Sequence, residues 1–287
     1  MAKFDYKRPT SLAECLTILK DGGDHGKIIA GGTDLMVEIR AGKEKDLAYV
    51  VDVTHIDDLK GIKKIGDKIS IKPGTTHDSI VHDPFIAEGA SFLADASHTV
   101  GSPQIRNAGT IGGSIGTASP ASDPAPVLIA LNGILTIESK DRGARHMLIE
   151  DFIVKPYKTD LAKDEIITDI TVDNLAGYKT AFVKLGRRKA LAIARMNVAV
   201  ALTLDGEGRV EDIRIVPGSA FPVAKRIKEA EAVLLGQKPT DELIEKAGDT
   251  VAEEMVKVTG IRWSTEYKQP VIASLTKRAI RQALEVK

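Results

Sequence analysis

The chain has 287 residues, 43% apolar and 28% charged, the balance of a soluble globular protein with material for a sizeable core and two domains. Its 40 basic residues are matched by 40 acidic ones, which argues against a nucleic-acid binder. No apolar run approaches a membrane span, the first residues lack the apolar segment of a signal peptide, and a single cysteine excludes an intrachain disulfide framework or a cysteine-held iron–sulfur cluster.

Thr10 or Ser11 is positioned to cap a helix whose apolar face is Leu12, Leu16 and Leu19, with Glu14 completing the cap and Gly22-Gly23 ending it. Cys15 lies in this pattern and reads as a small buried hydrophobe, in keeping with a cytoplasmic protein. Lys27 to Ala30 reads as a short buried strand that breaks at Gly31-Gly32, after which Thr33 or Asp34 can cap a second helix. Strand, glycine pair and helix start can form a phosphate site, because the glycines clear the approach and the first-turn amides lack partners. A plain strand-to-helix turn is the other reading. The stretch is neither a dinucleotide fingerprint nor a Walker A loop. Asp34 would repel phosphates, so it suits backbone amides or a ribose or ribityl hydroxyl.

Tyr49 to Val53 reads as a strand, and Ile65 to Ile71 as a hairpin turning at Gly66-Asp67. Thr75, Thr76 and His77 follow as possible hydrogen-bonding groups, a structural histidine being the alternative. Helices are expected over Ser79–Glu88 and Phe92–Val100. Residues 101–124 are rich in glycine, proline and hydroxyls, with Arg106 and Asp123 the only charges, yet they keep Ile105, Ile111 and Ile115 at intervals. Such a segment reads as an ordered loop packed on a core, turning amides and hydroxyls toward a polar ligand.

Ala125 to Leu131 reads as a short buried helix, Gly133 to Ser139 as a strand, Ile153 to Glu165 as a loop and Ile166 to Val172 as a strand. Gly177 lies close to a domain boundary. The basic stretch ending Arg187-Arg188-Lys189 reads either as a solvated loop or as part of a flavin or phosphate environment. A strand through Leu204, a hairpin at Asp205–Arg209 and a strand over Val210–Val216 come next. Helices follow over Ile227–Leu235, Asp241–Val256 and Val271–Leu284, with Trp263 in core or interface packing. No metal-ligand pattern, hydrolase serine or paired carboxylate is evident, so no catalytic residue and no metal ligand is assigned.

The two glycine stretches, Ala30-Gly-Gly-Thr-Asp-Leu35 and Gln104-Ile-Arg-Asn-Ala-Gly-Thr-Ile-Gly-Gly113, followed by Pro120-Ala-Ser-Asp123, closely resemble the FAD-binding medium subunit of the molybdenum hydroxylases. That family includes carbon monoxide, bacterial xanthine and nicotinate dehydrogenases and 4-hydroxybenzoyl-CoA reductase. The resemblance spans nearly the whole chain and includes Lys184-Leu-Gly-Arg-Arg-Lys-Ala-Leu-Ala-Ile-Ala194. It implies an α+β fold: a two-subdomain FAD-binding domain of the vanillyl-alcohol oxidase type over residues 1–176, with subdomains of about 1–55 and 56–176, then a small α+β domain with an antiparallel sheet over 177–287.

By this resemblance, Ile28, Ile29, Ala30, Gly31, Gly32, Thr33, Asp34 and Leu35 meet the FAD diphosphate together with Thr110, Ile111, Gly112, Gly113 and Ser114. Thr75, Thr76, His77 and Asp123 belong near the ribityl or flavin portion, and Lys184 and Leu185 near the ring system. Gly101, Ile105, Thr117 and Ile167 complete the implied cofactor-binding set. Two residues depart from many relatives: Ser114 stands where they have Asn, and Ala192 where they have Asp. The cluster-bearing reductases are not matched, since Cys15 is the sole cysteine. The implied role is an oxidoreductase subunit passing electrons between the iron–sulfur clusters of a partner and NAD⁺ or another acceptor. Its partners would be a large subunit carrying the molybdenum cofactor and a small subunit with two iron–sulfur clusters. The alternatives are a self-contained FAD oxidoreductase of the same fold and a non-redox nucleotide-binding assembly subunit.

Overall fold

The computed structural model describes residues 4–285. It opens with β1 (Asp5–Lys7) and α1 (Leu12–Gly22). The Ser11 hydroxyl accepts from the Glu14 amide while the Glu14 carboxylate accepts from the Thr10 amide, a reciprocal cap. β2 (Gly26–Ile29), α2 (Leu35–Arg40) and β3 (Tyr49–Asp52) follow, and the three strands form a parallel sheet in the order β1-β3-β2. Central β3 is buried throughout, whereas edge strand β2 is half-buried rather than the fully buried strand its apolar run suggests. Cys15 and Leu19 of α1 cover one face of this sheet with Tyr49, Val51 and Val53.

The middle of the chain holds β4 (Ile62–Ile65), β5 (Lys68–Ile71), α3 (His77–His82), α4 (Pro84–Gly89), α5 (Ser91–His98), α6 (Pro103–Ala108), α7 (Ile111–Thr117) and α8 (Pro124–Ala130). Then come β6 (Ile134–Ser139), β7 (Gly143–Leu148), α9 (Ile149–Phe152), β8 (Ile153–Lys155), β9 (Lys158–Thr159) and β10 (Glu165–Asp173). Five of these strands make an antiparallel sheet, β4-β5-β10-β6-β7. The single helix expected over Ser79–Glu88 is two, because Pro84 cannot continue the first and Asp83 caps the second through the amides of Phe85 and Ile86. The ordered loop expected over 101–124 is largely helical. Ser102 caps α6 and Thr110 caps α7, with Pro103 pre-set for a first helical turn. The loop expected over 153–165 contains the short β8–β9 pair, and Arg145 clamps its end by a fork of hydrogen bonds to Glu165.

The last part comprises β11 (Lys179–Leu185), β12 (Met196–Leu204), β13 (Val210–Gly218), α10 (Lys228–Leu234), α11 (Asp241–Thr259) and α12 (Thr265–Glu285). β11-β12-β13 is an antiparallel sheet buried on both faces. Phe182, Ala199, Ala201 and Val216 point into the large core of the middle segment, while Ala181, Val183, Val198, Val200, Leu202, Ile213 and Ile215 meet the three helices. The alternation has the period of two that a pleated strand imposes, and burial on both sides explains the nearly unbroken apolar run of β12. α12 starts six residues earlier than its expected Val271; Pro270 lies inside it, on an exposed face where water can take the unpaired carbonyl. Trp263 is 94% exposed and so lies outside the core. No helix among the described residues is long and apolar enough to cross a membrane.

Candidate cofactor site

The two glycine turns are in direct contact. A Cβ on Gly31 would lie 1.9 Å from the carbonyl oxygen of Ala108 and 2.9 Å from Cα of Gly109, so only glycine allows this approach. Gly109 in turn faces Thr33 and His77: a Cβ there would lie 3.4 Å from Thr33 Oγ1 and 3.5 Å from His77 Cδ2. A hydrogen bond from Thr117 Oγ1 to Asp34 Oδ2 (3.3 Å) joins the turns at the far end of α7. The expectation that Thr33 or Asp34 caps α2 is corrected: neither side chain does so, and the exposed Asp34 instead accepts from Thr117.

Their amides are used differently. Among the hydrogen bonds of the described residues, the N–H groups of Gly31, Gly32, Thr33, Asp34 and Leu35 have no protein acceptor. They form an arch of successive donors at the C-terminal end of β2, and Gly32 supplies the positive φ (66°) that bends it. Ile28, Ile29, Ala30 and Leu35 around the arch are half-buried. The opening amides of α7, by contrast, are already taken: Ile111 donates to Thr75 O (3.0 Å), Gly112 to Pro73 O (2.8 Å), Gly113 to Thr110 Oγ1 (3.1 Å) and Ser114 to Thr110 O (3.0 Å). The expectation that the second stretch turns its amides to a ligand is therefore corrected at these four positions. Its glycines serve close packing and open space instead. A Cβ on Gly112 would sit 2.4 Å from Pro73 Cβ, whereas one on Gly113 meets only Thr110 Oγ1 at 3.0 Å and one on Gly116 meets nothing within 4 Å.

The Thr75-Thr76-His77 turn is bound to the same helix. Thr76 and Thr110 form an antiparallel bridge, and the His77 amide donates to Gly109 O (3.0 Å). The hydroxyl of Thr75 both donates to and accepts from the backbone of Gly61, and that of Thr76 caps α3, so both are committed within the protein. His77 is buried, with Nε2 2.9 Å from Ser114 Oγ and Nδ1 without a partner. Burial, reinforced by the charge of Arg106, pushes its pKa down to about 4 and keeps it neutral near pH 7. Gly101 takes a positive φ of 47° and packs on Ile105, which is 38% exposed.

A second polar cluster lies where α8 begins. The buried carboxylate of Asp123 pairs with Lys184 Nζ (2.5 Å) and accepts from Thr99 Oγ1 (3.1 Å) and Asn197 Nδ2 (3.1 Å). Burial raises its pKa, opposed chiefly by the charge and hydrogen bond of Lys184. Lys184 Nζ also donates to Thr99 O (3.0 Å). Thr99 and Asn197 are additions that the sequence reading missed; an asparagine inside an otherwise apolar strand was the available signal. Lys184 and Leu185 end strand β11 and are not the solvated loop that was one of two readings. Leu185 packs on the C-terminal core, and Ala192 folds back on Gly186, where a Cβ would lie 2.5 Å from its own. Ile167 is a core residue of β10 at the register shift between Ile167 and Asp169. A polar cleft of about 310 Å³ lined by residues including Asp24, Lys27, Glu44 and Lys163 opens at the opposite end of β2 from the amide arch.

Residues 2–174 match the family described as the FAD binding domain in molybdopterin dehydrogenase, and residues 181–283 match the CO dehydrogenase flavoprotein C-terminal domain. The chain is similar to the nicotine 6-hydroxylase medium subunit of Paenarthrobacter nicotinovorans, with 34% identity over 97% of this chain and 96% of that one. It is also similar to the glyceraldehyde dehydrogenase medium chain of Sulfolobus acidocaldarius, with 33% identity over 98% of each. Its fold is similar to a chain in the structure of carbon monoxide dehydrogenase from Hydrogenophaga pseudoflava, with a TM-score of 0.92 and 29% identity over 99% of this chain and 98% of that one. The residues present fit FAD: an arch of unpaired amides can take a diphosphate, and helix glycines without side chains leave room beside it. The chain is thus an oxidoreductase subunit and belongs to the family of FAD-binding medium subunits of the molybdenum hydroxylases.

Proposed function

We propose that this chain holds FAD as an electron relay, receiving electrons from iron–sulfur clusters on a small partner subunit and delivering them to NAD⁺ or another acceptor. A large partner subunit would carry the molybdenum cofactor and oxidise the substrate, in the cytoplasm. The observation that carries this reading is the arch of five unpaired amides over residues 31–35, held against Ala108 and Gly109 just before the glycine-rich helix α7 and joined to that helix by the Thr117–Asp34 hydrogen bond. When bound, FAD supplies the redox chemistry. The amides of Gly31 to Leu35 neutralise diphosphate charge by many small contributions. Gly113 leaves space, Ser114 and Thr117 offer hydroxyls, and Asp34 is suited to a sugar or ribityl hydroxyl. His77 stays neutral and fixes Ser114. Lys184, Asp123 and Leu185 belong on the ring side, and Ile28, Ile29, Gly101, Ile105 and Ile167 form apolar or close-packed surroundings.

The division of labour fits an FAD-binding domain of the vanillyl-alcohol oxidase type over residues 1–176 and a smaller α+β domain over 177–287. Purification of the native assembly with its visible spectrum, flavin content and co-purifying chains tests the proposal. One FAD per chain with an iron–sulfur subunit and a molybdenum subunit is expected. Colourless protein without partners would overturn it.

A further inference from the structure

We propose that Asn197 is a positioning residue that fixes the Asp123–Lys184 ion pair for the bound flavin, an inference that rests on the FAD reading above. Lys184, Asn197 and Gly218 lie in one row across β11, β12 and β13, because Lys184 pairs with Asn197 and Asn197 with Gly218 in the strand register. The row shares a face with Phe182, Ala199 and Val216, the face turned to the large core. Asn197 is fully buried there. Its Nδ2 donates to Ser122 O (3.0 Å) and Asp123 Oδ1 (3.1 Å). The backbone carbonyl and the paired carboxylate both serve as acceptors, so the amide has one workable orientation.

That orientation leaves Oδ1 buried without a donor, turned toward Gly218, where a Cβ would lie only 2.3 Å away. An apolar residue in a strand buried on both faces would avoid this penalty. What the amide provides in return is specific. Asp123 Oδ2 receives Lys184 and Thr99, whereas Oδ1 receives Asn197, so Asn197 fixes the rotation of the carboxylate. The carboxylate and Thr99 O then take two of the three N–H donors of Lys184, leaving one to point at a ligand. Asn197 thereby ties the sheet of residues 179–218 to the segment that follows α7.

The test uses the purified FAD-bearing protein and follows FAD affinity, flavin midpoint potential and equilibrium unfolding. Asn197→Leu takes the donor from Ser122 O and Asp123 Oδ1, so it should lower apo stability and weaken FAD binding about tenfold, the scale of one hydrogen bond to a charged group. Asn197→Asp places a second carboxylate beside Asp123 and should shift the potential to more negative values. Adding Asp123→Asn to it restores the local charge and should return the potential toward wild type. Gly218→Ala, which pushes Asn197 from the other side, should mimic the leucine variant. Unchanged affinity and potential in the single variants, or a double variant equal to the sum of the singles, would overturn the inference while leaving the FAD reading intact. FAD-free wild-type protein would overturn both.

Discussion

One methyl group added at Gly31 should separate the two turns. The alanine Cβ would start 1.9 Å from Ala108 O, where ordinary contact begins at 3.4 Å, so one backbone must retreat by about 1.5 Å. Both neighbours are backbone, and no side-chain rotation can relieve the clash. Overpacking of this kind costs about 1–3 kcal/mol, which lowers the melting temperature by several degrees in a protein of this size. The retreat also bends the arch of free amides, and losing one hydrogen bond to a phosphate should weaken FAD roughly 10- to 100-fold. Gly116→Ala is the control. Its Cβ meets nothing within 4 Å, and it lies in helix α7, so the same change should raise apo stability by roughly 0.5–1 kcal/mol. Fluorescence titration of the apo protein with FAD, beside denaturant unfolding, reads both effects. Gly31→Ala protein that binds FAD like wild type would refute the role of the contact between the turns.

His77 has its pKa lowered to about 4 in the fold against an ordinary value near 6.5, so the folded state binds fewer protons between these values. Its contribution, on the order of 3 kcal/mol, is complete above the unfolded pKa and is lost as pH falls through about 4; His77→Gln should flatten that part of the stability–pH curve, and an unaltered slope would contradict the assignment. Cys15 is fully buried and burial pushes its pKa up to about 12, so a thiol reagent at pH 8 should label it only after unfolding. Rapid native labelling would show that α1 does not cover the sheet as described. In the isolated chain, the indole of Trp263 should emit as free indole does in water and be fully open to acrylamide; a blue-shifted, protected signal would place it elsewhere.

The strands and most helices were legible because their periodicities are strong: the apolar run of β12 and the cap at Ser11 need no tertiary information. Local composition misled at 101–117, where glycine and proline suggested a loop. The capping hydroxyl of Thr110 and the packing of Pro73 on Gly112 outweigh the cost of glycine inside α7, and Ser102 caps α6 in the same way. The resemblance named Gly31, Gly112, Asp123 and Lys184, but not which amides remain free. That depends on Pro73 and Thr75, brought to α7 by the β5–α3 turn. Asn197 was missed for a related reason: a lone polar residue in an apolar strand gains meaning only from its register partners, Lys184 and Gly218.

Free donors in one turn and committed donors in the other divide the work of the site. α7 is tied to residues 73–77 within the protein, so under the proposed FAD reading it would serve as a fixed wall and charge neutralisation would fall on residues 31–35. The Asp123–Lys184–Asn197 cluster owes its position to a different constraint. A one-residue slip of β12 would carry Asn197 to the helix-facing side and turn Val198 and Val200 away from their helix-facing packing. Because both faces of that strand are buried, such a slip exchanges two sets of core contacts at once, and the register that holds Asn197 beside Asp123 is set by the packing of the whole C-terminal sheet.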